Sequence, residues 1–141
     1  MNNRILSIGL ILVTLISFSG FSYATTISNT GSNVHYDGSA LRYVNSWYIS
    51  TSTHKTSSTI VFKVKVQNLT SNVWITGSNF KFTIQYLKVS KTKIKMIYKA
   101  YKNGKLLSTK SATIKNPKMH TPRWWAKSML PIFLKGWKTT I

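Results

Sequence analysis

The chain has 141 residues, 20 of them Lys or Arg, with one acid (Asp37), no cysteine and a formal net charge of +19. One carboxylate and no thiol exclude paired-carboxylate hydrolysis, a cysteine nucleophile, a thiolate metal site and a disulfide framework. The length supports one hydrophobic core and not two, and the charge selects partners that are anionic.

Met1–Ala24 reads as a secretory signal peptide: Arg4 gives a positive start, Ile5–Phe18 is an apolar run, and Ser22-Tyr23-Ala24 has the small-x-small form of a cleavage site. The apolar run is shorter than the roughly 20 residues of a stable span. The expectation is a secreted product from Thr25 to Ile141, a single β domain, associated with the cell surface. Thr25–Ser39 is rich in Ser, Thr, Asn and Gly and reads as a loose arm or an edge strand. Tyr43–Ser50 alternates as a strand, with Tyr43, Asn45, Trp47 and Ile49 on one side. Thr59–Gln67 is the clearest strand, with Ile60, Phe62, Val64 and Val66 facing one way and Val61, Lys63, Lys65 and Gln67 the other. Asn68–Asn72 is a turn and Val73-Trp74-Ile75 a short strand. Phe80–Val89 alternates again, with Phe80, Phe82, Ile84 and Tyr86 inward.

A basic ribbon follows. Lys93–Lys102 and Lys105–Lys115 flank Asn103-Gly104, a dipeptide whose tolerance of positive φ suits a two-residue hairpin turn. Asn116-Pro117 and Thr121-Pro122 end the last clear strand, and a tail rich in Trp and Lys begins at about residue 117. Pro131 is expected to prevent one continuous helix there, leaving two short amphipathic pieces or a further strand. Six or seven short strands with turns about every ten residues predict an all-β fold: an antiparallel β-sandwich or small barrel with a long basic hairpin and this tail.

The chemistry that these residues support is binding. His35, His54 and His120 have no ligand-like spacing, and His35-Tyr36-Asp37-Gly38 does no more than hold a turn. No glycine loop cradles phosphate. No enzyme activity and no cofactor are expected. Residues 81–141 carry 15 bases, whereas residues 25–80 carry Arg42, Lys55, Lys63 and Lys65. Guarding sheet edges needs only a few lysines, so this density points to an anionic surface as partner. Lysines far outnumber arginines, which fits a point-charge attraction more than bidentate reading of one ligand. The expected envelope-binding residues are Lys88, Lys91, Lys93, Lys95, Lys99, Lys102 and Lys105 of the ribbon, with Arg123, Trp124, Trp125, Lys127, Lys135, Trp137 and Lys138 of the tail. Trp favours the headgroup level while lysines snorkel toward phosphates.

Two stretches carry a resemblance. Tyr101-Lys102-Asn103-Gly104-Lys105 leading to Ser111-Ala112-Thr113-Ile114-Lys115-Asn116, and later Trp125-Ala126-Lys127, resemble elements of the lactococcin-class secreted bacteriocins that do not form pores. The resemblance implies a cleaved signal peptide, a sandwich of antiparallel sheets and binding of the cell-wall precursor lipid II. Taken together, the expectation is a secreted cationic bacteriocin-like antimicrobial. Its expected partner is anionic lipid, lipid II or a teichoic-type wall polymer, with no specific nucleic acid. The alternative is a wall-polymer or surface-binding module of adhesin type that does not kill. The residues carry no signal of an oligomeric state.

Overall fold

The computed structural model describes residues 25–36, 38 and 40–140, the side chains of 138–140 excepted. The expected signal peptide, the acid Asp37 and the Lys138 side chain lie outside the described residues. Seven strands and one helix follow in order: β1 (Thr25–Tyr36), β2 (Leu41–Ser52), β3 (Ser57–Asn68), β4 (Val73–Trp74), β5 (Phe80–Ser90), β6 (Lys93–Lys102), β7 (Lys105–Lys115) and α1 (Pro122–Thr140).

The all-β antiparallel expectation holds. The strands form one sheet in the order β1-β2-β3-β5-β6-β7, and β4 pairs with β3 beside β5. Period-two alternation sets the two faces. Ile60 of β3 lies between Ile49 of β2 and Ile84 of β5, and Phe62 lies between Trp47 and Phe82. These residues, with Tyr86 and Ile94, make the core together with Ala126 and Leu130 of the helix. The β6–β7 hairpin has the bounds expected of it, and Asn103 and Gly104 both take positive φ, at 51° and 80°. Gly31 on β1 faces Trp47, and a Cβ there would fall inside the contact distance of the indole.

The tail departs from expectation. Pro122–Thr140 is one α-helix with Pro131 inside it. Buried or half-buried positions recur at 122, 125, 126, 129, 130, 133, 134 and 137, the three-four spacing of an apolar stripe. Pro131 stands on the opposite, exposed side, where the carbonyl that loses its partner is open to water. Burial of the stripe against β2, β3 and β5 outweighs the lost hydrogen bond. Thr121-Pro122 is a start rather than a stop. The Trp124 N–H donates to Thr121 Oγ1 at 3.1 Å, so Thr121 caps the helix and Pro122 takes the first helical position, where no N–H is needed.

One face of the sheet is therefore covered by α1. The other is bare among the described residues.

Candidate anion-binding face

Side chains on the bare face follow from the register. Opposite the core row, β3 presents Lys63 and Lys65, β2 presents Arg42, and β5 presents Lys81. β6 adds Lys93, Lys95 and Lys99, and β7 adds Lys115. These are eight cations on one side of one sheet. The only acid of the chain is Asp37, so none of the eight faces a carboxylate from any described element.

Several of these charges oppose each other directly. Lys63 is the cross-strand partner of Lys81, and Lys93 is the partner of Lys115. At the hairpin tip Lys102 pairs with Lys105. Directly opposed like charges destabilise a sheet. Aromatic rings take the place of acids as partners. The Lys81 ammonium lies 4.6 Å from the Tyr101 ring centroid, Lys65 5.7 Å from Trp74, Lys63 5.8 Å from Tyr48, and Lys102 5.7 Å from Phe80. Each such contact stabilises by about 0.5–1 kcal/mol at an exposed site. It leaves the positive charge uncancelled and available to an anion.

The face has a notch. β5 stops pairing with β3 at Val64, and β4 pairs only with Gln67 and Asn68. Between them lies a hollow of about 300 Å³ lined by Lys63, Lys65, Lys81, Phe80 and Tyr101. Asn103 closes its rim: its side chain donates to the Gly77 carbonyl at 2.8 Å and accepts from the Asn79 N–H at 3.2 Å, and its own N–H donates to the Asn79 carbonyl at 2.8 Å. The hairpin turn and the β4–β5 loop are thus tied together beside three lysines.

The expected site residues divide among four places. Lys93, Lys95 and Lys99 lie on the bare face. Lys102 and Lys105 lie at the hairpin tip. Lys88 and Lys91 line a small hollow with Lys55 and His120 near the start of α1, and Arg123 lines a second one with Lys55. Lys127 and Lys135 are exposed on the outer side of the helix. Arg42, Lys63, Lys65, Lys81 and Lys115 complete the bare face although the sequence reading leaves them out of the site. Their signal is parity: each occupies a position that alternates away from the core residues of its own strand.

The three tryptophans of the tail do not form one outward anchor. Trp125 is half-buried, stacks on Tyr86 with centroids 6.3 Å apart, and donates from Nε1 to Asn116 Oδ1 at 3.2 Å. Trp137 is half-buried and meets His35 edge-on at 6.4 Å. Only Trp124 is exposed, at 42 %, stacked on His120 with centroids 3.5 Å apart. The amphipathic stripe that makes the helix also turns Trp125 and Trp137 inward.

Asn116 is a residue the sequence reading passes over. It is 2 % exposed. Its Oδ1 accepts from the His120 N–H at 3.0 Å and from the Trp125 indole, and its Nδ2 donates to the His120 carbonyl at 2.8 Å. It clasps the end of β7 to the beginning of α1. Beneath it, burial pushes the Tyr86 hydroxyl up to about 12.

Among the described residues no helix is long and apolar enough to cross a bilayer. No protein-family model, curated protein or solved structure matches the chain.

Proposed function

We propose that the protein is a secreted cationic antimicrobial of bacteriocin type that binds the anionic bacterial envelope through its bare sheet face. The observation that carries this reading is the set of eight cations on that face, with Lys63 against Lys81 and Lys93 against Lys115. A sheet with no acid to neutralise these pairs is relieved of repulsion when a dense negative surface meets it. Anionic lipid, lipid II and teichoic-type wall polymers all present such a surface. Each lysine held near an anionic membrane contributes about 1 kcal/mol. A handful engaged together supports tight attachment that salt weakens.

Trp74, 47 % exposed at the edge of the face, and Trp124 on the helix are the rings available to a headgroup layer. Trp125 and Trp137 serve the fold instead. Attachment therefore rests on charge first and on insertion second.

The test is sedimentation of the purified protein with vesicles of phosphatidylglycerol or of phosphatidylcholine, and with isolated cell walls, across a salt series. Binding to the anionic vesicles or walls that disappears with salt supports the reading. Growth inhibition of bacteria by the same preparation separates killing from attachment alone.

A further inference from the structure

A second site lies on the other side of the sheet. Between the covered face and the second half of α1 is a cavity of about 370 Å³. Phe62, Phe82, Phe133 and Trp137 are among its walls, and no charged residue lines it. Its size is that of pockets that take small molecules. Exposed Ile132 and Gly136 mark its mouth.

One polar group stands in its lining and is out of place there. Asn45 is 1 % exposed, and neither its Oδ1 nor its Nδ2 has a hydrogen-bond partner. Its cross-strand neighbour Asn33 also holds a buried Oδ1 with no partner. A buried amide without partners costs its full desolvation penalty, and such groups are few in folded proteins. Water answers poorly, because a buried water needs two to four polar partners and most of this lining is apolar. A charged ligand answers poorly too, because no opposite charge faces the cavity.

Gly136 gives the space. A Cβ placed on it would meet nothing within 4 Å. A larger residue there would reach toward the walls, and glycine inside a helix otherwise only weakens it.

From these features we infer that the cavity is a binding site for an uncharged amphiphile: an apolar chain or ring system ending in one carboxamide or hydroxyl, which pairs with the donor and acceptor of Asn45. Chain and walls exclude water, and the single polar terminus satisfies the amide. The site is independent of the basic face and of the envelope reading.

Octanamide, with octanoate as its charged counterpart, tests this in about 0.5 M salt, which suppresses attraction of octanoate to the lysines. The side-chain amide signals of Asn45 are followed by NMR. Octanamide is expected to shift them saturably, at one molecule per chain, and octanoate to bind at least about tenfold more weakly. Asn45→Leu is expected to reduce octanamide affinity about tenfold. Gly136→Leu is expected to fill the cavity and abolish binding, while its thermal midpoint equals or exceeds that of the parent because the helix gains propensity. The inference is overturned if octanamide leaves the Asn45 signals unmoved up to its solubility limit, so that only water occupies the cavity. It is equally overturned if octanoate binds as well, or if the folded Gly136→Leu protein binds with the parent's affinity.

Discussion

Lys63 on β3 and Lys81 on β5 are direct cross-strand partners, and both point to the face that α1 leaves bare. Two ammonium groups in that relation weaken the sheet that holds them. Lys63→Glu turns the pair into an attractive one. Its stability in urea is expected to rise by about 0.5–1 kcal/mol. Its retention on anionic vesicles is expected to fall at every salt concentration. Opposite signs in the two assays separate binding from folding. A variant that both binds and folds like the parent would show that the pair matters to neither.

Trp124 and Trp125 are neighbours with different work. Trp125 stacks on Tyr86 and bonds to Asn116, whereas Trp124 lies outside on His120. Trp125→Ala is expected to destabilise by about 3 kcal/mol. Trp124→Ala is expected to cost under about 1 kcal/mol and to reduce vesicle binding only slightly. Denaturant midpoints and vesicle sedimentation on the two variants check this. Equal losses of stability would contradict the inward placement of Trp125.

Asn116→Ala removes three hydrogen bonds at once and strands the His120 backbone and the Trp125 indole. A cost of about 2–3 kcal/mol is expected. Because the clasp lies where β7 hands over to α1, the loss should show as increased hydrogen exchange in the first turns of the helix. A variant with the parent's stability and exchange pattern would remove Asn116 from the account.

Tyr86 reports on the core through pH. Its hydroxyl is buried without a partner, and its folded value of about 12 lies above the ordinary value of 10.0. Unfolding lets it ionise more readily. Its contribution is thus intact below pH 10 and is lost as pH rises toward 12. Over that window the parent should lose about 3 kcal/mol more than Tyr86→Phe, which has no hydroxyl to titrate. At neutral pH the Phe variant should match or exceed the parent, since it discards an unpaired polar atom. Parallel alkaline unfolding curves would contradict the burial of this hydroxyl.

The strands were legible because alternation is local. Ile60, Phe62, Val64 and Val66 mark a half-buried strand without reference to anything distant, and Asn103-Gly104 carries its own turn geometry. The helix was less legible. Pro131 is a strong breaker signal, and only the stripe running from Pro122 through Leu130 to Trp137 shows that the proline falls on the exposed side. Among candidate site residues, Lys93, Lys95 and Lys99 were readable as a basic strand. Their grouping with Lys63 and Lys65 depends on strand order, since β3 meets β6 only through β5. The orphaned amide of Asn45 has no sequence signal at all. It faces the same way as Trp47 and Ile49, and only packing shows that nothing pairs with it.

The most direct test of the central claim is the salt dependence of binding to phosphatidylglycerol vesicles by the parent and by a variant with Lys63, Lys65, Lys81 and Lys99 replaced by Gln. The parent should bind at low ionic strength, release as salt rises, and ignore phosphatidylcholine. The folded variant should bind far more weakly, with a shallower dependence on salt. Unchanged affinity and slope in that variant would contradict the assignment of binding to the bare face of the sheet.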